Sequence, residues 1–254
     1  MAHSGHFGSF LLDDVDRPLV LSMVKTLSSN LTIPIFVKIR LLNTVEETIN
    51  LCQQLKDAGA SLIAIHGRHR VSLVERSGPS AREGPALLDQ IKAVREAITD
   101  IPIISNGNIR DWNDVVENRV FTDTNGVMSA EGLLDNPAIF NGGTPVNKLK
   151  LASEYLELVD LHPVKMKSVI FHIRRMCRDE LTKYQLLDEV LNAPNVDAIK
   201  KIIRTAQEYE RTGSYRFDPD KEKKVKEALE RKKREEGRRK EYEARMMRKA
   251  KREG

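Results

Sequence analysis

Four times the chain repeats one pattern: a short apolar run, polar residues where the run stops, then a helical segment. The runs are 35–40, 61–66, 101–105 and 126–129. Runs this short suit strands, and strand–helix alternation with short connections predicts parallel strands. Such units build a doubly wound sheet or a (β/α) barrel. No Gly-x-Gly-x-x-Gly follows any run, which disfavours a dinucleotide-binding sheet. The polar residues gather where the strands end: Lys38 and Arg40, His66 and Arg68, Asn106 and Asn108, then Glu131. Barrel active sites lie at that rim. An eight-stranded barrel would need four more units, and nothing before residue 35 reads as a strand.

The first run makes the sharpest chemical statement. A strand alternates its side chains, so Lys38 and Arg40 share one face while Val37 and Ile39 share the other. Two cations on one face of an apolar strand are costly to bury unless something anionic or polar meets them. An internal ion pair, or an edge strand with snorkelling stems, would answer that cost equally well.

Residues 9–31 read as one helix, or as two pieces because Pro18 is awkward in its middle. Thr44 and Glu47 form a capping box ahead of Val45, Ile49, Cys52 and Leu55 at helical spacing, and Gly59 is a stop signal. A loop rich in Gly, Ser and Arg runs to about Gly84. Leu88, Ile91, Val94 and Ile98 mark a further helix, and Asp111 caps a short one. Residues 146–212 turn wholly helical, with about three helices expected and Asn195 as an N-cap. His162, His172, Arg174 and Arg175 read as a solvated face of these helices. Cys52 and Cys177 lie on apolar stripes and read as small core residues.

Charge bounds the partners. Of the net +5, residues 221–254 hold 16 Lys/Arg against 8 Asp/Glu, and the rest of the chain holds 26 against 29. A basic tail suits a polyanion, and a mixed-sign run equally suits a solvated helix. No apolar run reaches the ~18 residues of a membrane-spanning helix. The N-terminus lacks the basic and apolar regions of a signal peptide. Two cysteines cannot make a disulfide framework or a zinc cluster. A reducing compartment, cytoplasm or nucleus, is expected, with no membrane and no metal.

Val37-Lys38-Ile39-Arg40, His66-Gly67-Arg68, Asn106-Gly107-Asn108-Ile109 and Gly126-Val127-Met128-Ser129-Ala130-Glu131-Gly132, in that order, resemble the tRNA-dihydrouridine synthase family. Residues 2–11 resemble the segment that follows the catalytic cysteine motif in that family. Ser-Ala-Glu-Gly in the last motif resembles the eukaryotic branch acting on D-loop positions 16 and 17. The resemblance is strong over residues 2–140 and weak over 146–212. It implies the last four units of an FMN-binding (β/α)8 barrel over 1–145, a helical tRNA-binding domain over 146–214, and a charged tail over 215–254. The family's Asn-x-Gly-Cys-Pro motif, with its general-acid cysteine, would then stand upstream of Met1. On that expectation the chain is a truncated, weakly active or inactive part of its enzyme.

The family's chemistry implies roles. NADPH (or NADH) reduces FMN, the flavin passes a hydride to C6 of a flipped-out uracil, and the cysteine protonates C5. Lys38 resembles the lysine at the flavin ring, where a cation stabilises the reduced, anionic form. His66 resembles a flavin or phosphate ligand, and Asn106, Gly107 and Asn108 a loop whose N–H groups hold the FMN phosphate. Ala130 and Glu131 stand where bacterial relatives have Gly-Arg; a Glu side chain repels phosphate, so backbone N–H groups at the N-terminus of the following helix would have to serve. Arg40 resembles a residue holding the uracil carbonyls, and Arg68 is expected to meet substrate as well. The loop from His69 to Glu83 is longer than the family's and lacks its threonine. Two other readings remain at this stage: a non-catalytic RNA-binding half-barrel with a basic tail, or another phosphate-binding flavoprotein barrel.

Overall fold

The computed structural model describes residues 7–70 and 84–221, with 223, 227 and 230. The fold is α/β, and the chain divides into two units, Met1–Pro145 and Val146–Gly254. The tail expected over 215–254 lies almost wholly outside the described residues, as does the long loop over 71–83.

In the first unit a 3-10 turn, Gly8–Leu12, precedes α1 (Arg17–Asn30). The segment over 9–31 is thus two pieces. Pro18 falls in the first turn of α1, where its missing N–H would have no helical partner anyway. There follow β1 (Ile35–Leu41), α2 (Val45–Asp57), β2 (Ala60–His69), α3 (Leu88–Ala97), β3 (Ile103–Asn106), α4 (Trp112–Thr122), β4 (Gly126–Met128) and α5 (Glu131–Asp135). The four strands form one parallel sheet in the order β1-β2-β3-β4. The one-turn α5 is the helix start that the family resemblance implied after Ala130 and Glu131; its five residues carry no helical period of their own.

Register decides which side chains meet. Arg40 pairs with His66, His66 with Asn106, and Asn106 with Met128, one row across all four strands. That row therefore shares a face with Lys38 and its partner Ala64. The opposite face carries Ile39, Leu41, Ile63, Ile65 and Ile103, all buried with Leu51 and Leu55 of α2 and Ile91 and Val94 of α3. Val127 continues that face on β4, packing with Val115 of α4. Burial of β-branched residues on one face thus leaves the polar row on the other.

α2 starts as its sequence dictates, with the Thr44 hydroxyl accepting from the Glu47 N–H. One turn later Thr48 is fully buried, and its hydroxyl accepts from the Leu42 N–H at 3.0 Å while donating to the Thr44 carbonyl at 3.0 Å. This ties the exit of β1 to the entry of α2.

The second unit holds α6 (Lys148–Leu161), α7 (Met166–Met176), α8 (Arg178–Lys183), α9 (Leu187–Leu191) and α10 (Val196–Thr212). Asn195 caps α10 by accepting from the Ala198 N–H. Ile199, Ile203 and Ala206 point from α10 into a core with Leu156, Ile173 and Leu181. The expected three helices are five. The middle one breaks at Cys177, and Gln185 adopts a left-handed φ of 51° between α8 and α9. The Gln185 amide oxygen accepts from the Tyr215 hydroxyl and the Asp218 N–H, which strap the chain after α10 onto that turn.

Thr48→Val keeps the shape of the side chain and removes both hydrogen bonds. It should lower stability by about 1–3 kcal/mol, because the Leu42 N–H is left without its partner; chemical denaturation of the purified chain measures this.

Candidate active site

The polar row opens onto a cleft of about 1140 Å³ at the C-terminal ends of the strands. Lys38 of β1, His66 and Arg68 of β2, and Asn106 of β3 line it, with Gly107 and Asn108 after β3. Ala130 and Glu131 line it from the start of α5.

A polar relay crosses the sheet here. Lys38 Nζ donates to Asn106 Oδ1 at 2.9 Å, and Asn106 Nδ2 donates to the Met128 carbonyl at 2.9 Å. The first bond passes over β2 from β1 to β3. Ala64, the β2 partner of Lys38, offers only a methyl group there, so the lysine stem can cross. Asn106 is 7% exposed, so its amide needs those partners. Burial, and then the like charge of Arg40, lower the Lys38 pKa from 10.5.

The turn after β3 is held from three sides. Gly107 has a φ of 137°, and a Cβ there would stand 2.6 Å from the Ala86 Cβ. Only glycine suits that conformation and that approach. Asn108 is left-handed at φ 60°, and its Oδ1 accepts from the Ala86 N–H at 2.9 Å and from Arg68 at 3.0 Å. Behind them the Asn118 amide donates to the Gly107 carbonyl at 3.1 Å. Asn118 was not among the residues the sequence singled out. Its signal was there: it is a polar residue on the inward stripe of α4 between Val115 and Thr122, all three buried. Ser129, quoted in the Ser-Ala-Glu-Gly motif without a role, has a buried hydroxyl that donates to the Ile109 carbonyl at 3.0 Å.

Past His66, β2 slips register: Arg40 pairs with His66 and Leu41 with His69, so Gly67 and Arg68 bulge out of the ladder. A Cβ on Gly67 would stand 2.9 Å from Ile91 Cδ1, so the bulge lies tight against α3. His66 and Arg68 then sit two residues apart, with Arg68 Nη1 2.9 Å from His66 Nε2.

Arg40 stands apart from the cleft. It lines a smaller hollow of about 150 Å³ with Asn43, Asp13, His69 and Arg70, and donates to the His69 carbonyl at 2.9 Å. Arg70 closes that hollow through two hydrogen bonds to the Asp13 carboxylate, at 2.6 and 3.0 Å.

The family model described as Dihydrouridine synthase (Dus) matches residues 1–235. The chain belongs to the dihydrouridine synthase family. It is 38% identical over 191 residues to the mouse protein named tRNA-dihydrouridine(16/17) synthase [NAD(P)(+)]-like, a match covering 75% of this chain and 38% of that one. It is 33% identical over 189 residues to the tRNA-dihydrouridine(16/17) synthase [NAD(P)(+)] of Saccharomyces cerevisiae, covering 69% of this chain and 43% of that one. The chain thus spans about two-fifths of the length of these curated relatives. Solved structures match only loosely. Phosphonopyruvate hydrolase with oxalate and Mg++ aligns at TM-score 0.39 and 12% identity, over 80% of each chain.

The two cysteines of this Dus chain are unsuited to proton transfer. Cys52 and Cys177 are both buried, and burial pushes each thiol up to about 12. Cys177 also donates to the Lys148 carbonyl. Among the described residues no group of three His, Cys, Asp or Glu could hold a metal ion.

Ala64→Leu should block the path of Lys38 to Asn106 and cost about 1–3 kcal/mol by overpacking, read as a lowered denaturation midpoint. In the native chain at pH 8, neither thiol should react quickly with a disulfide reagent, and both should react once urea unfolds the protein. A fast-reacting thiol in the native state would contradict their burial.

Proposed function

We propose that these residues are the C-terminal part of an FMN-dependent tRNA-dihydrouridine(16/17) synthase. In this reading 1–145 are the last four units of a (β/α)8 barrel, 146–214 a tRNA-binding helical domain and 215–254 a charged tail. The observation that carries it is the convergence of Lys38, His66, Asn106 and the Gly107–Asn108 turn on one cleft. Its volume exceeds the ~300–1,000 Å³ of ordinary small-molecule sites, which leaves room for a flavin nucleotide beside a base.

The residues present fit FMN. Gly107 lets backbone approach an anion without a Cβ in the way. His66 and the N–H groups of Asn106, Gly107 and Asn108 would hold the phosphate, with Lys38 at the ring. Glu131 is acidic, so Ala130 and Glu131 would contribute through their backbone. α5 has five residues, so it adds N–H donors rather than an extended dipole. Bound FMN, recharged by NADPH or NADH, supplies the hydride chemistry. Lys38 places positive charge beside the ring. Arg40 lines the separate hollow and not this cleft, so the hold on the uracil carbonyls that the resemblance implies for it draws no support from the geometry.

Neither thiol is placed to protonate a carbon, so the general acid would come from polypeptide outside these residues. Exposed apolar side chains support a larger assembly. Leu19, Met23 and Leu27 form a stripe on α1, Val116 and Val120 another on α4. These helices flank the two edge strands of the sheet, where further barrel units would cover both.

Titrating FMN into the 254-residue chain and following flavin fluorescence tests the reading. Saturable binding, weakened roughly tenfold or more by Lys38→Met, is expected; absence of binding overturns the cofactor assignment. The chain by itself should form no dihydrouridine on unmodified tRNA, and formation would refute the need for an outside acid.

A further inference from the structure

We propose that Arg68 is a positioning residue that fixes the tautomer and charge of His66. A guanidinium has five N–H donors and no acceptor, and it stays protonated in proteins. Its Nη1 lies 2.9 Å from His66 Nε2. For that contact to be a hydrogen bond, Nε2 must offer its lone pair. The imidazole proton is then on Nδ1, and the ring is neutral, because an imidazolium has no lone pair to give.

Arg68 cannot easily turn away. Its Nε donates to the Gly84 carbonyl at 2.7 Å, and Nη2 donates to Asn108 Oδ1 at 3.0 Å. Asn108 is itself oriented, since Oδ1 also accepts from the Ala86 N–H while Nδ2 reaches the Ala86 carbonyl at 3.4 Å. A flipped Asn108 amide would set N–H against N–H at both Oδ1 partners. The chain from Ala86 through Asn108 to Arg68 thus sets the side chain that sets His66. The fork of Arg68 is engaged inside the protein, which assigns it to positioning rather than to gripping substrate.

Other charges face the same cleft. Lys38 from β1 opposes charge on His66, as Arg68 does. Glu117 from α4 and Glu131 from α5 favour it, while Asp114 is paired with Arg110 at 3.1 Å. The assignment rests on the contact at Nε2 and not on the balance of these charges: accepting from Arg68 there requires a neutral ring with its proton on Nδ1. The flavin reading enters only in naming what the Nδ1–H meets; the tautomer does not depend on it.

The test is ring ¹⁵N NMR of the full chain without flavin, with His66 assigned by its loss in His66→Gln. His66 should appear as the Nδ1–H tautomer with a neutral ring at pH 7. In Arg68→Met the same ring should become a mixture of tautomers. An Nε2–H or charged ring in the unmodified chain at pH 7 overturns the proposal, and that measurement stands even if the variant does not fold. So does an unchanged tautomer in a folded Arg68→Met. Failure of FMN to bind would instead strike the cofactor assignment and leave this one intact.

Discussion

The site depends on the register of the parallel sheet. Arg40, His66, Asn106 and Met128 lie in one row because the strands are paired residue for residue as far as that row. That register is enforced from behind. Ile39, Ile63, Ile65 and Ile103 are buried against α2 and α3, and burying them contributes roughly 1.5–3 kcal/mol per side chain. Polar side chains on the opposite face are thus carried to the rim by apolar packing they take no part in.

Once there, they hold each other. Lys38, Asn106 and the Met128 carbonyl form a relay across three strands, and Asn108, Arg68 and Ala86 form a second cluster beside it. The first relies on a methyl group at Ala64 and the second on the absence of one at Gly107. Small residues here are as much a part of the site as the charged ones, because they clear the paths that the long side chains take.

Much of this was legible in the chain. The strand ends stood out because an apolar run closing on Lys38 and Arg40, or on His66, is unusual where packing alone decides. The sheet followed from the alternation of periods. What could not be read is contact across distant segments. Asn118 stands on the inward stripe of α4, but that it meets the Gly107 carbonyl could not be read from that stripe. Arg68 read as a substrate contact, and its partners Gly84, His66 and Asn108 came into view only with the fold. Arg40 shares a strand face with Lys38 yet opens into another hollow, because the β2 bulge after His66 brings His69 to meet it. The short α8 and α9 escaped for a different reason: each is too brief to show a period, and the left-handed Gln185 between them leaves no glycine as a marker.

The bulge at Gly67 and Arg68 also limits how such a chain can change over time. Two extra residues there let β2 present His66 to one hollow and His69 to the other without disturbing the ladder before it. Deleting either would turn His69 and Arg70 over by half a pleat and take them from the Arg40 hollow, while His66 stays in place. Lineages carrying this sheet should therefore accept length variation elsewhere in the loops long before they accept it at this step.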